Sequence, residues 1–429
     1  MQSKFHVQNF GCRASQADGA AIESLLAKQG LARAGDHKSA EFVILNTCTV
    51  TATADDELRQ IVRRVHRDNP DARIVITGCY AQRAPEELVS LPGVSMVVGN
   101  SHKTQIADLI ATPYHGEVHV ADISDSREFL ATPIEEAAGD RSRPNLKIQD
   151  GCPNRCSFCI IPYVRGGNRS APVRQIVEQV RDLASRYPEV VLTGINLGRW
   201  GREPGMKMRL PDLLRILLGD TDVQRLRLSS VEPMDWSDDL LSLMADSPRI
   251  AKHVHAPLQS GSDTVLRRMH RKYRPHHYES RVRLARELMP DAAIGADVMV
   301  GFPGESQEEF DQTLRLIESL PFTYLHIFPY SQRPGTPAAE ASDQVPWQVR
   351  KARGRILKAA AQHKNAEFRR RMIGRTLSAV TLGNGDAITS NYLSVELALP
   401  REPRQLIDVH IGIATDTGLR EYHPLAVLC

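Results

Sequence analysis

The sequence has 429 residues, of which 41% are hydrophobic, and its formal net charge at pH 7 is +3. This length allows two to four domains with substantial cores. The sequence contains no run of about 18 apolar residues and no secretory apolar stretch near Met1, which argues against a membrane span and against export. Seven cysteines then favour a reducing compartment, so we expect a multidomain cytoplasmic protein.

The amino-terminal part alternates short β-like runs with helical patterns. Each of three runs is followed within three residues by a cysteine in a turn: His6–Phe10 by Cys12, Phe42–Leu45 by Cys48, and Arg73–Ile76 by Cys79. Helical patterns at Ala17–Gln29 and Asp55–Arg67 supply the crossovers that parallel strands require. Ligands gather at the carboxyl ends of parallel strands, so the three thiols can converge on one site. Three unrelated buried thiols are the alternative.

A second group of cysteines is contiguous. Cys152, Cys156 and Cys159 form a C-x3-C-x2-C loop. Iron–sulfur clusters and structural zinc are both normally held by four ligands, so a tight set of three suggests a cluster with one iron free to bind a small molecule. A zinc loop or a disulfide pair is the alternative, although the fourth zinc ligand is missing nearby.

The cysteine loop resembles that of radical S-adenosylmethionine (SAM) enzymes, and two three-cysteine groups in one chain resemble the methylthiotransferases of that superfamily. Four local runs are most similar to the branch that modifies threonylcarbamoyladenosine in tRNA: Asn46–Thr51, Ile148–Cys152, Cys159–Gly166 and Arg169–Ser170. The resemblance covers essentially the whole chain. The chain departs from the usual family residues at three positions: Ser15, Pro153 and Asn168.

The resemblance implies an α/β fold class with three domains. Residues 1–135 would form an open parallel α/β domain with an auxiliary [4Fe-4S] cluster on Cys12, Cys48 and Cys79. Residues 136–368 would form a radical SAM partial (β/α) barrel with the [4Fe-4S] cluster on Cys152, Cys156 and Cys159. Residues 369–429 would form a small antiparallel β-barrel of the RNA-binding TRAM type.

The pattern that follows the cysteine loop is itself that of a β/α barrel. The predicted strands are Val190–Leu192, Arg225–Leu228, His253–Ala256, Ile294–Val300 and Tyr324–Phe328. The predicted helices are Val173–Tyr187, Leu210–Leu218, Asp263–His270 and Gln307–Leu320. Barrel chemistry lies at the carboxyl ends of strands. Polar or glycine-rich segments stand there: Thr193–Asn196, Ser229–Pro233, Pro257–Gly261 and Gly301–Glu305.

The resemblance also implies which of these residues bind SAM. Thr193 and Gly194 would approach its amino group, and Glu232 would bond the ribose hydroxyls. Three further residues would line the nucleoside: Gln259, Ser260 and Val300. Arg333 would face SAM or the space between the clusters. A carboxylate accepts ribose hydroxyl protons well. A surface carboxylate for Glu232 and a buried structural amide for Gln259 are the alternatives.

Positive charge is concentrated between Pro346 and Arg371, where nine basic residues and one acidic residue give +8 and leave about −5 for the rest of the chain. Repulsion within such a helix is relieved by a polyanion, and RNA phosphate is the natural one. A second basic stretch, Arg267–Arg274, includes Tyr273, which we expect to stack on a base. A solvated helix face is the alternative for each stretch.

Short alternating strands return after Met372. They are predicted at Leu377–Leu382, Asn391–Leu399, Leu406–Ile413 and Glu421–Leu428, with a turn at Gly383–Asp386. The pattern predicts an antiparallel barrel of about 60 residues. Its charges balance, so only the resemblance assigns RNA binding to it. Cys429 is interpreted as incidental.

The implied activity is insertion of a methylthio group at C2 of threonylcarbamoyladenosine beside the anticodon. One SAM would methylate sulfur carried by the auxiliary cluster, and a second SAM would yield the radical that removes hydrogen from C2, since an aromatic C–H has no leaving group. The implied partners are the tRNA anticodon loop, SAM and a low-potential electron donor. The alternatives are a methylthiotransferase for isopentenyladenosine or a ribosomal-protein aspartate, and a noncatalytic iron–sulfur protein that binds RNA or transfers electrons.

Overall fold

A computed structural model describes residues 2–111, 116–124, 129–130 and 142–423. In chain order these residues form a six-stranded sheet, a partial barrel and a closed five-stranded barrel, which confirms the predicted α/β fold class. Cys429 lies outside the described residues. None of the helices in the described ranges has the length and apolar character needed to cross a membrane.

The six-stranded sheet is parallel throughout, in the order β2-β1-β3-β4-β5-β6. Its central strands are rich in Val, Ile and Leu and are almost completely buried, as expected for a parallel sheet covered on both faces. The strands are β1 (Lys4–Asn9), β2 (Ala32–Arg33), β3 (Phe42–Thr47), β4 (Arg73–Gly78), β5 (Val94–Gly99) and β6 (Glu117–His119). The helices are α1 (Arg13–Lys28), α2 (Ala52–Asp68), α3 (Cys79–Arg83), α4 (Pro85–Val89) and α5 (Ile106–Ile110).

Six parallel strands form the partial barrel, in the order β7-β9-β10-β11-β12-β13, and β8 pairs antiparallel with β7. A single bridge joins Leu226 of β10 to Ile250, three residues before β11 begins. The strands are β7 (Asn145–Asp150), β8 (Arg169–Ser170), β9 (Glu189–Gly194), β10 (Arg225–Leu228), β11 (His253–His255), β12 (Ala293–Val300) and β13 (Tyr324–Pro329). All five predicted strands are present.

The helices of this part pack outside the strands around one hydrophobic core that includes Trp200 and Trp236. They are α6 (Ile161–Arg165), α7 (Val173–Ala184), α8 (Leu210–Asp220), α9 (Asp238–Asp246), α10 (Asp263–Arg268), α11 (Pro275–Leu288), α12 (Gln307–Ser319), α13 (Pro337–Glu340) and α14 (Trp347–Arg370). Two of the longer helices, α9 and α11, were not predicted. The carboxyl ends of the barrel strands face the cysteine loop.

The closed barrel has the strand order β14-β15-β16-β18-β17. Its strands are β14 (Thr376–Thr381), β15 (Asp386–Thr389), β16 (Ser394–Glu396), β17 (Leu406–Ala414) and β18 (Leu419–Glu421). The prediction of a purely antiparallel barrel is wrong for one pair, because β16 and β18 run parallel. The sequence also missed β15, whose polar start was read as a turn, and residues 424–428 of the last predicted strand lie outside the described part.

The closed barrel packs against the amino ends of the partial-barrel strands. Arg225 donates to Ser378 O at 3.1 Å and Arg227 donates to Thr389 O at 2.9 Å. The Tyr392 ring stacks on His253 with centroids 4.5 Å apart. The closed barrel therefore seals the end of the partial barrel that lies opposite the cysteine loop.

Candidate functional site

The cysteine loop, residues 152–159, begins two residues after β7 ends. The Cys152 N–H donates to Gly166 O at 3.0 Å, and the Ser157 N–H donates to Met269 O at 3.2 Å. These bonds tie the loop to the segment after α6 and to the end of α10. The contiguous cysteines therefore lie at the carboxyl end of a barrel strand, where barrel chemistry is expected.

Nitrogen donors point at the sulfurs of this loop. Asn196 Nδ2 lies 3.6 Å from Cys152 Sγ, and Arg271 Nη1 lies 3.4 Å from Cys156 Sγ. Burial raises the pKa of Cys152, and it raises the pKa of Cys159 to about 12. Thiols of this kind remain protonated until a metal displaces the proton. The donor set fits an iron–sulfur cluster, since N–H groups directed at sulfur stabilise thiolate and sulfide charge.

The spacing of the cysteines argues against a single ion. A single metal ion requires its ligand atoms to lie close together. Among the described His, Cys, Asp and Glu side chains, the only three whose ligand atoms all lie within 4.8 Å of one another are His255, Asp297 and His326. Neither cysteine triad meets this limit. A cluster in which each sulfur binds a different iron tolerates a wider spacing than one zinc ion does.

Thr193 and Gly194 end strand β9 beside the loop. Gln149 Oε1 accepts a hydrogen bond from the Asn196 N–H at 2.7 Å, and Asn196 is the residue that donates to Cys152. A Cβ atom at Gly194 would lie 2.7 Å from Gln149 Oε1, so glycine is needed for this close approach. The end of β9 therefore leads directly to the first sulfur of the loop.

Glu232 follows β10 and forms an ion pair with Arg271. The Arg271 guanidinium is buried and donates to both Glu232 and Cys156. Burial alone lowers the pKa of Arg271, but Tyr273, Glu232 and Cys156 outweigh it and raise that pKa well above its usual value. Arg271 is therefore a permanent cation fixed between a loop sulfur and a carboxylate.

The stretch Arg267–Arg274 does not form the predicted stacking surface for RNA. Tyr273 is only 1% exposed, and its hydroxyl oxygen lies 2.8 Å from Pro257 O and 2.7 Å from Leu258 O, so that its one proton is shared between these carbonyls. The prediction that its ring stacks on a base is wrong, because the ring belongs to the barrel core. Arg271 was likewise assigned to RNA phosphate and instead serves the cysteine loop.

The other residues expected to line a nucleoside differ in how they are used. Gln259 has a backbone φ of +61° and a buried Oε1 with no hydrogen-bond partner among the described residues, a combination that functional sites retain. The Ser260 hydroxyl instead lies 3.2 Å from Thr313 Oγ1 in the core. Val300 is buried beside Gly354 of α14. Only Gln259 keeps a free polar side-chain atom.

Arg333 lies between the partial barrel and the six-stranded sheet. Its Nη1 donates to Asp55 Oδ2 at 2.8 Å and to Thr49 O at 3.2 Å. Thr49 directly follows Cys48 in the chain. Arg333 therefore joins the barrel to the segment that carries the second cysteine of the amino-terminal triad.

The amino-terminal cysteines converge at the carboxyl edge of the six-stranded sheet. Cys12 caps α1, Cys48 follows β3, and Cys79 begins α3. A Cβ atom at Gly11, where φ is +94°, would lie 2.9 Å from Cys48 Sγ. Burial, followed by the neighbouring Cys79 and Cys12, raises the pKa of Cys48 to about 12. The topology therefore brings together three thiols that the sequence separates.

This second triad also faces the partial barrel. Arg165 Nε, at the end of α6, donates to Cys79 Sγ at 3.2 Å, and Asn100 Nδ2 lies 3.7 Å from the same sulfur. Cys79 shares a small apolar cluster with Ile160 and Val164, which directly follow the cysteine loop. The segment that follows the cysteine loop, residues 160–165, therefore contacts a cysteine of the amino-terminal triad.

Arg165 also belongs to a buried ion cluster at this contact. It pairs with Asp18 of α1 at 2.9 Å and with Asp150 of β7 at 2.9 Å, while Lys147 and Lys103 pair with Asp18. Burial alone raises the pKa of Asp18, but Lys103, Lys147 and Arg165 outweigh it and hold that pKa below its usual value. Arg169 also lies 3.9 Å from Asp150, so four cations on two carboxylates leave a positive excess beside Cys79, which suits an anionic cluster.

Sequence reasoning missed the residues of this ion cluster. Arg165 stands in a run that carried the resemblance, but its partners Cys79 and Asp18 are 86 and 147 residues away in the chain. Ser15, one of the three departures, lies at this contact, where its Oγ accepts from Arg165 and lies 3.7 Å from Cys12 Sγ. Asn168 accepts from Gln149 at 2.8 Å. Nothing in the structure explains Pro153.

Comparison with known proteins agrees with this arrangement. A family model described as "Radical SAM superfamily" matches residues 146–317, and one described as "Uncharacterized protein family UPF0004" matches residues 4–99. The fold is similar to a solved radical SAM methyltransferase, TsrM from Kitasatospora setae, with a TM-score of 0.59 and 18% identity, over 79% of this chain and 74% of that one.

Two curated relatives are similar over most of their length. The threonylcarbamoyladenosine tRNA methylthiotransferase MtaB of Aquifex aeolicus is 37% identical over 95% of this chain and 100% of its own. A tRNA-2-methylthio-N(6)-dimethylallyladenosine synthase of Novosphingobium aromaticivorans is 32% identical over 89% of this chain and 87% of its own. Radical SAM enzymes use SAM and a [4Fe-4S] cluster, which the cysteine loop suits. The chain belongs to the radical SAM family of tRNA methylthiotransferases.

Proposed function

We propose that the enzyme inserts a methylthio group at C2 of threonylcarbamoyladenosine beside the tRNA anticodon, using two SAM molecules and two [4Fe-4S] clusters. The contact between Arg165 and Cys79 carries this proposal, because it brings the second cysteine triad to the segment that follows the cysteine loop. A sulfur donor has to lie close to the site where the radical forms, and this contact supports such an arrangement.

The two triads have separate roles in this proposal. Cys152, Cys156 and Cys159 hold one cluster, and Cys12, Cys48 and Cys79 hold the other. When bound, the first cluster and SAM supply the radical that removes hydrogen from the base, and the second cluster supplies the sulfur. The protein's own contribution is to fix the two triads, with Arg271 and Arg165 as the charged donors to their sulfurs.

We assign the SAM contacts to the strand ends around the cysteine loop. Thr193 and Gly194 receive the amino group, Glu232 receives the ribose hydroxyls, and Gln259 offers its unpaired oxygen to the nucleoside. Ser260 and Val300 contribute only through their backbone, since their side chains face the core. Arg333 holds the two triads in register through Asp55.

For tRNA binding, the exposed face of α14 supports the proposal. Lys351, Arg355 and Lys358 are exposed and fall on one helix face, with Trp347 58% exposed at its start. Arg353 and Arg369 of the same helix are buried, so the predicted charge of this stretch is only partly available to RNA. Cations beside an exposed indole suit phosphate contacts and base stacking.

The remaining assignments follow from the same function. Cytoplasmic localisation, a low-potential electron donor and the anticodon loop as the contacted part of tRNA belong to the proposal. So does the division into domains at residues 1–135, 136–368 and 369–429, whose last boundary lies two residues before α14 ends at Arg370. The closed barrel would serve as the TRAM-like domain.

Anaerobic reconstitution with two tRNA substrates tests the proposal. We expect about eight irons per chain, as two four-iron clusters require, and 2-methylthio product from tRNA that carries threonylcarbamoyladenosine. Product from isopentenyladenosine tRNA alone would assign the enzyme to the other branch. Methylthiolation of a ribosomal-protein aspartate would reject tRNA as the substrate. Absence of 5′-deoxyadenosine under reducing conditions would reject catalysis altogether.

A further inference from the structure

A cavity of about 610 Å³ lies where α1, the partial barrel and the closed barrel meet. Arg13 and Gln16 of α1 line one side, Asn145 and Val191 of the barrel strands line another, and Tyr392 of the closed barrel closes it. Arg13 directly follows Cys12. One residue that lines the cavity is therefore the chain neighbour of a cysteine in the triad that we assign to the sulfur-donating cluster.

The charged groups near this cavity are not balanced. Arg143, Arg225 and Arg227 all pair with one carboxylate, Glu189, which is completely buried. Asp297, the next carboxylate in the barrel interior, already pairs with His255 and His326. The cationic side chains therefore outnumber the carboxylates on the walls of the barrel interior.

Arg13 is the cation left without an anion. Its Nη2 donates to the Tyr392 hydroxyl at 2.8 Å, and its guanidinium lies 5.7 Å from the centroid of the same ring. No carboxylate among the described residues pairs with it. A guanidinium has five N–H donors in a planar fork that matches a carboxylate, and most of those of Arg13 have no protein partner.

We propose that Arg13 binds the free carboxylate of the threonylcarbamoyl group and so selects this base. The inference rests on the proposed function, since only that substrate carries an anion on the modified adenine. An isopentenyl group is apolar and would leave Arg13 unpaired in a cavity that also contains Arg143. Rejecting a substrate that lacks the bonding group is the most selective discrimination that a binding site achieves.

Tyr392 positions Arg13 in this arrangement. Tyr392 has a backbone φ of +64°, which is costly for a residue with a side chain, and its ring is held by stacking on His253 at 4.5 Å. The Tyr392 hydroxyl of the closed barrel thereby accepts a hydrogen bond from Arg13 Nη2. The orientation of the guanidinium is fixed before the substrate enters, which lowers the entropic cost of binding.

The test compares two forms of one RNA. The substrates are an anticodon stem-loop that carries threonylcarbamoyladenosine and the same RNA with that carboxylate converted to a carboxamide. For the wild-type enzyme we expect kcat/KM for methylthiolation to be on the order of 10²-fold higher with the acid, as loss of a charge-assisted pair predicts. In Arg13→Met we expect the two substrates to differ by less than about 3-fold.

The control is Lys28→Met, an exposed cation at the other end of α1, which should keep the wild-type preference. Iron content and 5′-deoxyadenosine formation report whether Arg13→Met is folded, and the wild-type comparison needs no variant. A wild-type enzyme that treats acid and amide alike overturns the inference. The inference is also overturned if Arg13→Met lowers kcat/KM equally for both RNAs, which would indicate that Arg13 binds a phosphate of the RNA backbone. A wild-type enzyme that modifies only isopentenyladenosine overturns the proposed function as well.

Discussion

The two cysteine triads offer the same ligands but are built in opposite ways. Cys152, Cys156 and Cys159 lie in one loop that is fixed by backbone hydrogen bonds to its neighbours. The amino-terminal triad is assembled from separate strand ends, and parallel register of β3 with β4 sets two of its members side by side, through pairs such as Thr47 with Gly78. The first site depends on local sequence and the second on topology, so the two should respond differently to substitution.

Removing one ligand from each triad should separate the two chemistries. We expect Cys156→Ala to abolish 5′-deoxyadenosine formation, because the cluster that cleaves SAM loses a ligand. Cys48→Ala should retain SAM cleavage and lose methylthio insertion. Iron counting and nucleoside mass spectrometry measure both outcomes, with Cys429→Ala as the cysteine control. SAM cleavage at the wild-type rate in Cys156→Ala would contradict the assignment.

The topological site should depend on the buried ion cluster. Arg165→Met removes one of the two cations that pair with both Asp18 and Asp150, the other being Lys147, and it removes the donor to Cys79. We expect it to destabilise the metal-free protein by about 3–5 kcal/mol. Urea unfolding measures this, and Arg174→Met, whose side chain is 91% exposed, should leave the midpoint unchanged. Equal midpoints for the two variants would show that the cluster contributes nothing.

The same ion cluster predicts a response to acid. The pKa of Asp18 is lower in the folded protein than in the unfolded chain, so its contribution to stability is complete above the usual carboxyl pKa of about 4 and is lost as the pH falls below it. Asp18→Asn should therefore be less stable than the wild type at pH 7. The difference between their unfolding midpoints should shrink below about pH 4. A difference that stays constant with pH would exclude this role.

The exposed basic face of α14 lies outside both triads and should affect tRNA binding alone. Replacing Lys351, Arg355 and Lys358 together by Ala should leave iron content and SAM cleavage unchanged. We expect tRNA affinity to fall roughly 10-fold at moderate salt, with a shallower dependence of affinity on salt, because fewer phosphates are neutralised. Filter binding across a salt series measures this. An unchanged salt slope would remove α14 from the tRNA interface.

The contrast between the triads also explains what the sequence could predict. Residue spacing was sufficient for the cysteine loop, and strand patterns were sufficient for the convergence of Cys12, Cys48 and Cys79. Arg165 could not be assigned, because its partners come from α1, β7 and the end of β4, and no local pattern records such a meeting. Arg271 was misassigned because a run of cations does not indicate which of them is buried.

The closed barrel shows a similar limit. Strand β15 was missed because Gly383–Asp386 reads as a turn and only four residues form the strand. The parallel pairing of β16 with β18 depends on how the chain closes on itself, which alternation of polar and apolar residues does not encode. The pattern of short strands predicted a barrel, and the structure supplied its connectivity.

The hydrogen bonds from Arg225 and Arg227 to backbone carbonyls of the closed barrel limit how this protein can be taken apart. Truncation before residue 376 would strip acceptors from two guanidinium groups that the fold keeps away from water. We therefore expect the partial barrel to be destabilised in an enzyme that lacks the closed barrel. If a different RNA-binding domain replaced the closed barrel, its contact surface would have to supply carbonyl acceptors for Arg225 and Arg227.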